Sequence, residues 1–204
     1  MKNAYIFIGR SGCGKGTQAE LLKTYLEKKD PQQKVIWFGT GERFRNFLKE
    51  PGYTQDIARD YVEKGKLSPE FLAIHIWSHF FIEEIKGDEN IIFDGTPRKL
   101  NEARVLDDAL GFYNTKVCVI FMNVSRDWAR ERLLGRGRQD DTEEYIKSRL
   151  DWFETDVAET IAFYKNLNHT FLEINGEQPI PKVHQDIIEK VSLSTGGLPK
   201  GDNS

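Results

Sequence analysis

Nine residues, Gly9-Arg10-Ser11-Gly12-Cys13-Gly14-Lys15-Gly16-Thr17, constrain this chain more than any other stretch. Before them runs Ala4-Tyr5-Ile6-Phe7-Ile8, apolar, aromatic and β-branched, which reads as a buried strand. After them Leu21, Leu22, Tyr25 and Leu26 set an apolar helical stripe. Strand, glycine-rich loop and helix in that order are the context of a phosphate-binding loop. The glycines at 9, 12, 14 and 16 let the backbone curl and turn its N–H groups toward an anion at a helix N-terminus. Lys15 would reach β and γ phosphates, and the Thr17 hydroxyl would face Mg²⁺. The generic motif puts Ser or Thr directly after the Lys, whereas here Gly16 intervenes. The bland alternative is a glycine-rich turn that holds no ligand.

Four further apolar runs read as strands: Lys34 to Phe38, Asn90 to Asp94, Lys116 to Met122 and Thr170 to Ile174. Helical patterns lie between them. Gly39-Thr40-Gly41 reads as a turn before a helix from Glu42 to Leu48, and a second helix from Gln55 to Lys64 stops at Gly65. Ser68-Pro69 reads as an N-cap and first helical position for a helix through Phe71, Ile74, His75, Trp77 and Phe81. Helices follow over Leu100 to Leu110 and Arg126 to Leu134. A long helix after the acidic start at Asp140 carries the stripe Ile146, Leu150, Phe153, Val157, Ile161, Tyr164. A last helix, Val183 to Val191, precedes a Gly/Ser/Lys-rich tail over 193–204 that reads as flexible. Strands alternating with helices predict an α/β fold with a five-stranded parallel sheet covered on both faces. Its ligand crevice belongs at the carboxyl ends of the strands, where Gly9, Thr40, Asp94 and Asn123 would converge.

The composition narrows the partners. A length of 204 residues fits one domain, over about 1–192, and 39% hydrophobic residues can fill its core. A net charge of −3 argues against a general nucleic-acid binder, so an anionic ligand must be held by a focused site. The two cysteines, Cys13 and Cys118, read as reduced thiols, and no signal peptide or membrane span is visible. The expectation is a cytoplasmic, monomeric protein with no membrane or nucleic-acid partner. The four tryptophans, Trp37, Trp77, Trp128 and Trp152, read as core, and the histidines form no metal spacing.

Asp94 closes an apolar strand, which suits a carboxylate turned toward Mg²⁺, and Arg98 follows it through Gly95-Thr96-Pro97. Arg132 and Arg136 are neighbours on one helix face, Arg138 comes just after, and Arg149 lies on the next helix. Phosphoryl transfer needs such a set, because its transition state spreads negative charge over several oxygens that guanidinium forks can bind. Without the phosphate loop, the same arginines also fit a solvated face paired with Asp140, Asp141, Glu143 and Glu144.

Together these motifs resemble the adenylate kinase family of nucleoside monophosphate kinases, a three-layer P-loop fold. The stretch Gly9 to Gln18 is similar to that family's loop, displaced Thr included, with Ser11 where a Pro is usual. The resemblance implies that Gly12, Cys13, Gly14, Lys15, Gly16 and Thr17 cradle ATP, with Thr17 and Asp94 toward Mg²⁺. It implies an acceptor site in a helical insertion, about 40–77: Thr40 and Arg45 on the monophosphate, and Lys66, Leu67 and Ser68 along its base. Gly95 and Arg98 belong to that site too, in Asp94-Gly95-Thr96-Pro97-Arg98, where Thr96 replaces an aromatic residue. Arg132, Arg136, Arg138 and Arg149 match catalytic arginines, with Arg138 and Arg149 also on the acceptor. Arg132 flanks the donor adenine, and Gln178, in Asn175 to Pro179, closes over it. Only Gly137 separates Arg136 from Arg138, so the lid is vestigial, 136–140, and has no room for zinc.

The implied activity is reversible, Mg²⁺-dependent phosphoryl transfer from ATP to AMP. The rivals are a kinase of the same architecture preferring GMP, UMP or CMP, and a non-catalytic nucleotide sensor. Glu102 stands where adenylate-specific members carry Gln against the acceptor base. A carboxylate would present a second acceptor to adenine N1, which predicts a narrowed margin for AMP over GMP and a gain from Glu102→Gln.

Overall fold

The strand that leads into the glycine-rich loop is the middle of the sheet. In the computed structural model, which describes residues 3–63, 68–137 and 142–194, β1 (Asn3–Gly9) pairs in parallel with β3 (Asn90–Asp94) and β4 (Lys116–Asn123). With β2 (Val35–Gly39) and β5 (Thr170–Asn175) the order is β2-β3-β1-β4-β5, every pairing parallel. Register aligns the strand ends. Phe7 and Gly39 both pair with Asp94, Gly9 pairs with Met122, and Asn123 pairs with Asn175. All five carboxyl ends therefore finish along one edge, and the crevice expected from the sequence opens there.

Ala4 through Ile8 are all buried, yet the two-residue alternation of a strand persists within that run. Tyr5 and Phe7, with Ile92, Cys118 and Ile120, face α1 (Lys15–Lys29), α6 (Arg126–Arg136) and α9 (Ile180–Ser194). Ala4, Ile6 and Ile8, with Ile91, Phe93 and Val119, face α4 (Glu70–Glu84), α5 (Leu100–Phe112) and α8 (Ala158–Lys165). Two cores on either side of one sheet give the three layers.

The helix after Thr142 serves both cores. In α7 (Glu143–Trp152), Ile146 and Leu150 pack into the first core; beyond it, Phe153, Val157, Ile161 and Tyr164 pack into the second. Between α7 and α8 lies a π-helical turn, Phe153–Val157, where the apolar stripe passes from one core to the other. The expected stripe is buried throughout, but the helix is not uniformly α.

Several boundaries differ from expectation for local reasons. α2 (Thr40–Lys49) begins at Thr40, so Thr40 and Gly41 belong to its first turn. Gly39, extended and packed under the Trp37 ring, makes the turn by itself. α3 (Tyr53–Glu63) precedes the segment holding Gly65, Lys66 and Leu67, the last two lying outside the described residues with Gly65. α4 starts at Glu70 because the Pro69 carbonyl accepts the first helical bonds, from Leu72 and Ala73; the Ser68 side chain does not cap it. In α4 it is Leu72, Trp77, Phe80 and Phe81 that are buried, while Phe71 and His75 are exposed. α9 continues to Ser194, past the expected end at Val191. Both cysteines are free and buried, and no helix of the described residues is long and apolar enough to cross a membrane.

Candidate active site

The loop after β1 is held from beneath. Gly14 caps α1 at φ 91°, a left-handed conformation that glycine adopts without the penalty other residues meet. Gly12, also left-handed at φ 86°, lies against α6: a Cβ there would sit 2.7 Å from the Ala129 carbonyl oxygen and 2.8 Å from Leu133 Cγ. Only hydrogen fits. Inside the loop, the Lys15 ammonium donates to the carbonyls of Gly9 and Arg10, each at 2.7 Å. The Cys13 side chain turns inward to the core, so that residue offers the cleft its backbone.

Around this loop opens a cleft of about 970 Å³. The loop lines it from Ser11 to Gln18; α2 contributes Thr40, Gly41 and Arg45; the turn after β3 contributes Asp94, Gly95, Arg98 and Glu102. Ser68, Arg132, Arg136, Arg149 and Gln178 line it as well. Every described residue singled out from the sequence as a site candidate thus borders one space. Lys66, Leu67 and Arg138 lie outside the described residues.

Asp94 approaches the loop closely enough that a Cβ on Gly16 would come within 3.1 Å of its Oδ2. Thr17, exposed on the first turn of α1, lines the same space. A carboxylate and a hydroxyl are hard oxygen donors of the kind Mg²⁺ takes, so these two fit that ion.

Arg98 folds over its own turn, donating from Nε to the Gly95 carbonyl at 2.9 Å. Burial pulls its pKa below the ordinary arginine value, while Glu102 and Asp94 oppose that shift. Glu102 itself is 3% exposed. One of its oxygens accepts from the Thr96 hydroxyl and the other from the Arg98 backbone N–H at 2.9 Å. Burial raises its pKa above the carboxylate norm against those hydrogen bonds. Both oxygens face the chain's own donors, so the clash with adenine N1 expected from the sequence loses its premise. The two departures from the family pattern, Thr96 and Glu102, are bonded to each other.

The Thr40 hydroxyl is buried and has no hydrogen-bond partner among the described residues, although Thr40 lines the cleft. An unpartnered buried hydroxyl is costly unless a ligand satisfies it. Opposite, the Arg132 guanidinium stacks 4.6 Å from the Trp128 ring centroid. Glu143 pairs with Arg130 at 2.8 Å, and Asp151 pairs with Arg126 at 2.5 Å and Lys147 at 2.7 Å. Of the carboxylates in the solvated-face alternative, Glu143 thus pairs with Arg130 rather than with Arg132, and Asp140 and Asp141 lie outside the described residues. The loop after β5 seats on the site through Gly176, whose N–H donates to the Asn123 carbonyl at 2.9 Å. The Gln178 amide nitrogen donates to the Asn175 carbonyl and to Asp186, both at 2.9 Å.

Sequence reasoning missed the tryptophans. Trp77 is core, but Trp37, Trp128 and Trp152 are half-buried and line the cleft. An apolar-face count treats an aromatic at a cleft margin like one in the interior. The cation-bearing helix around Trp128 was the signal that could have found one of them.

Comparison with known proteins agrees with this geometry. The profile of the family described as adenylate kinase matches residues 7–169. A protein named adenylate kinase from Azobacteroides pseudotrichonymphae genomovar. CFP2 is 33% identical over 196 residues, 94% of this chain and 97% of that relative. Adenylate kinase 1 of Nostoc sp. is 33% identical over 185 residues, 89% of this chain and 95% of the relative. The adenylate kinase of Parabacteroides distasonis is 36% identical over 170 residues, covering 80% and 84% respectively.

Proposed function

This chain belongs to the adenylate kinase family, and from that premise we propose that its cleft moves the γ-phosphoryl group of ATP to AMP, giving two ADP, reversibly. One observation carries the reading: a phosphate loop, a strand-end carboxylate, five arginines and an unpartnered threonine hydroxyl border a single space at the carboxyl edge of the sheet.

The loop amides and Lys15 bind the β and γ phosphates of the donor. Arg132, over Trp128, flanks the donor adenine, and the Gln178 loop covers it. Thr40, Arg45 and Arg98 hold the acceptor phosphate, with the backbone of 66–68 along the base. Arg98, Arg132, Arg136, Arg138 and Arg149 offset the charge that spreads over the transferring group. An acceptor phosphate oxygen bonds to the γ phosphorus, and the bond from that phosphorus to the β–γ bridging oxygen breaks, its electron pair leaving with ADP. No side chain has to take a proton, so positioning and charge do the work. Thr17 and Asp94 would hold Mg²⁺, which when bound would supply further charge neutralisation on the phosphates.

The test is kcat/KM with ATP against AMP, GMP, CMP and UMP, alongside calorimetry with a bisubstrate dinucleotide. AMP is expected to be the best acceptor and the bisubstrate to bind both halves of the cleft. GMP outperforming AMP would move the assignment to another monophosphate kinase. Binding of one nucleotide without turnover would make the protein a sensor.

A further inference from the structure

Arg10 is the one loop residue whose long side chain leaves the phosphate loop. The side chain is only 14% exposed, and its guanidinium is held at three points. One terminal nitrogen donates to the Val124 carbonyl at 2.7 Å, the other to Glu154 Oε1 at 2.6 Å, and its plane lies 4.0 Å from the Phe153 ring centroid. Phe153 and Glu154 are the first two residues of the π-helical turn. Such turns are rare inside α-helices and are frequent at functional sites. Here the turn directly follows the helix that carries Arg149. The backbone of Arg10 faces the other way: its carbonyl accepts from Lys15 Nζ at 2.7 Å and from the Cys13 N–H at 3.2 Å.

We propose that Arg10 is a positioning residue for phosphoryl transfer. Its clamped side chain fixes the carbonyl that aims Lys15, and it locks the phosphate loop to the helix bearing Arg149. The proposal rests on the function given above. A small cavity of about 40 Å³ lies behind the site, lined by Arg10, Lys15, Arg98, Arg149, Trp152 and Phe153. Four cations around so little space repel one another, and Glu154, paired with Arg10, offsets part of that charge. A guanidinium suits the post because its flat face can stack on a ring while its two terminal nitrogens donate in the plane to separate partners; an ammonium has no such face. Ser11 stands where a stiffer residue is usual in the family, and the clamp supplies from outside the stiffness that the loop lacks within.

The experiment compares the parent with Arg10→Ala, Arg10→Lys and Glu154→Gln as full chains. It records kcat, KM for each substrate, thermal midpoint, and hydrogen exchange of 9–15. Loss of positioning predicts kcat about tenfold lower in Arg10→Ala, because small misplacements of reacting groups are expensive. KM for AMP should stay within about twofold, exchange of 9–15 should quicken, and the thermal midpoint should fall little. Arg10→Lys and Glu154→Gln should lie between, since each keeps part of the clamp. A kcat for Arg10→Ala within about twofold of the parent overturns the proposal, as does a loss in all three variants that merely tracks their melting. If the parent turns over no monophosphate, the functional reading falls separately. The clamp is then judged on exchange of 9–15 and on calorimetric ATP affinity, and unchanged values in Arg10→Ala sink it.

Discussion

The two walls of the cleft are built differently. On the donor wall, Gly12 is pressed onto α6, Gly176 onto Val124, and Arg10 onto the π turn, so the loop is braced from three directions. On the acceptor wall, Thr40 is the buried residue of α2, and Ala58 is the buried residue of α3 among its described side chains. Large apolar side chains there face solvent: Tyr53 is 82% exposed, Ile57 51% and Phe71 63%. What ties α2 to its neighbours is largely polar. Arg43 lies 5.0 Å over Phe38 and pairs with Glu84 at 2.8 Å, and Arg59 donates to the Leu48 carbonyl at 2.5 Å. Segments with few buried apolar contacts open at low free energy, whereas a packed loop does not. The contrast teaches that one wall is a fixed template and the other is free to travel.

The largest effect should come from the fixed wall. Lys15→Ala removes a charge from a preorganised loop without opening a core cavity, so kcat/KM should fall by ~10²-fold or more with little change in melting temperature. Activity within about tenfold of the parent would mean the donor wall is not the template it looks like.

Next comes the brace under the acceptor arginine. Glu102→Ala leaves the Thr96 hydroxyl and the Arg98 N–H without their acceptor in a buried turn, which should cost about 1–3 kcal/mol in denaturant unfolding. Because that turn carries Arg98, KM for the monophosphate should rise about tenfold while KM for ATP holds, the size of effect a misplaced binding group produces. Equal losses on both substrates would break the division between the walls.

Motion is the third discriminator. Water must be kept from the transferring group, and with Gly137 alone between Arg136 and Arg138 the sequestration falls to the acceptor wall. Bisubstrate binding should slow hydrogen exchange mainly over 40–77. Protection gained chiefly at 134–142 would place the closing role there instead.

The smallest effect is a pH dependence. The raised pKa of Glu102 means that folding favours its protonated form. The resulting penalty is absent at pH below the ordinary carboxylate value, grows as pH rises through the raised one, and persists above it. Glu102→Gln can accept from the Arg98 N–H and donate to the Thr96 hydroxyl without that penalty. Its melting temperature should therefore gain on the parent as pH rises from 4 to 8; a constant difference would rule out the titration.

How much of this could be read in the chain depends on the range of the interaction. β3 has the expected ends, Asn90 and Asp94, because an unbroken apolar run bounded by polar residues is a local signal. The cleft residues were legible for a related reason: a parallel sheet delivers each strand's end to the same edge. The π turn was not legible, since apolar steps of three and four residues suit a uniform helix equally well. Nor was the Thr96–Glu102 bond. Glu102 read alone suggested altered contact with a base and Thr96 only a lost aromatic, and only folding shows that they satisfy one another. The role of Arg10 was not legible either, because its partners, Val124 and Glu154, lie far along the chain.

The placement of the tryptophans also gives the molecule an optical property. Three indoles stand on the cleft, Trp37 at the β2 end, Trp128 beneath Arg132, and Trp152 beside the π turn, while Trp77 is sealed in the second core. Ligand that displaces solvent from the first three changes their emission, and Trp77 contributes a steady background. Single replacements by Phe would then separate the signals, with Trp128 reporting arrival of the donor base and Trp37 movement around the acceptor helix. On the proposed function, the unlabelled enzyme would then carry a stopped-flow reporter for each half of its cleft.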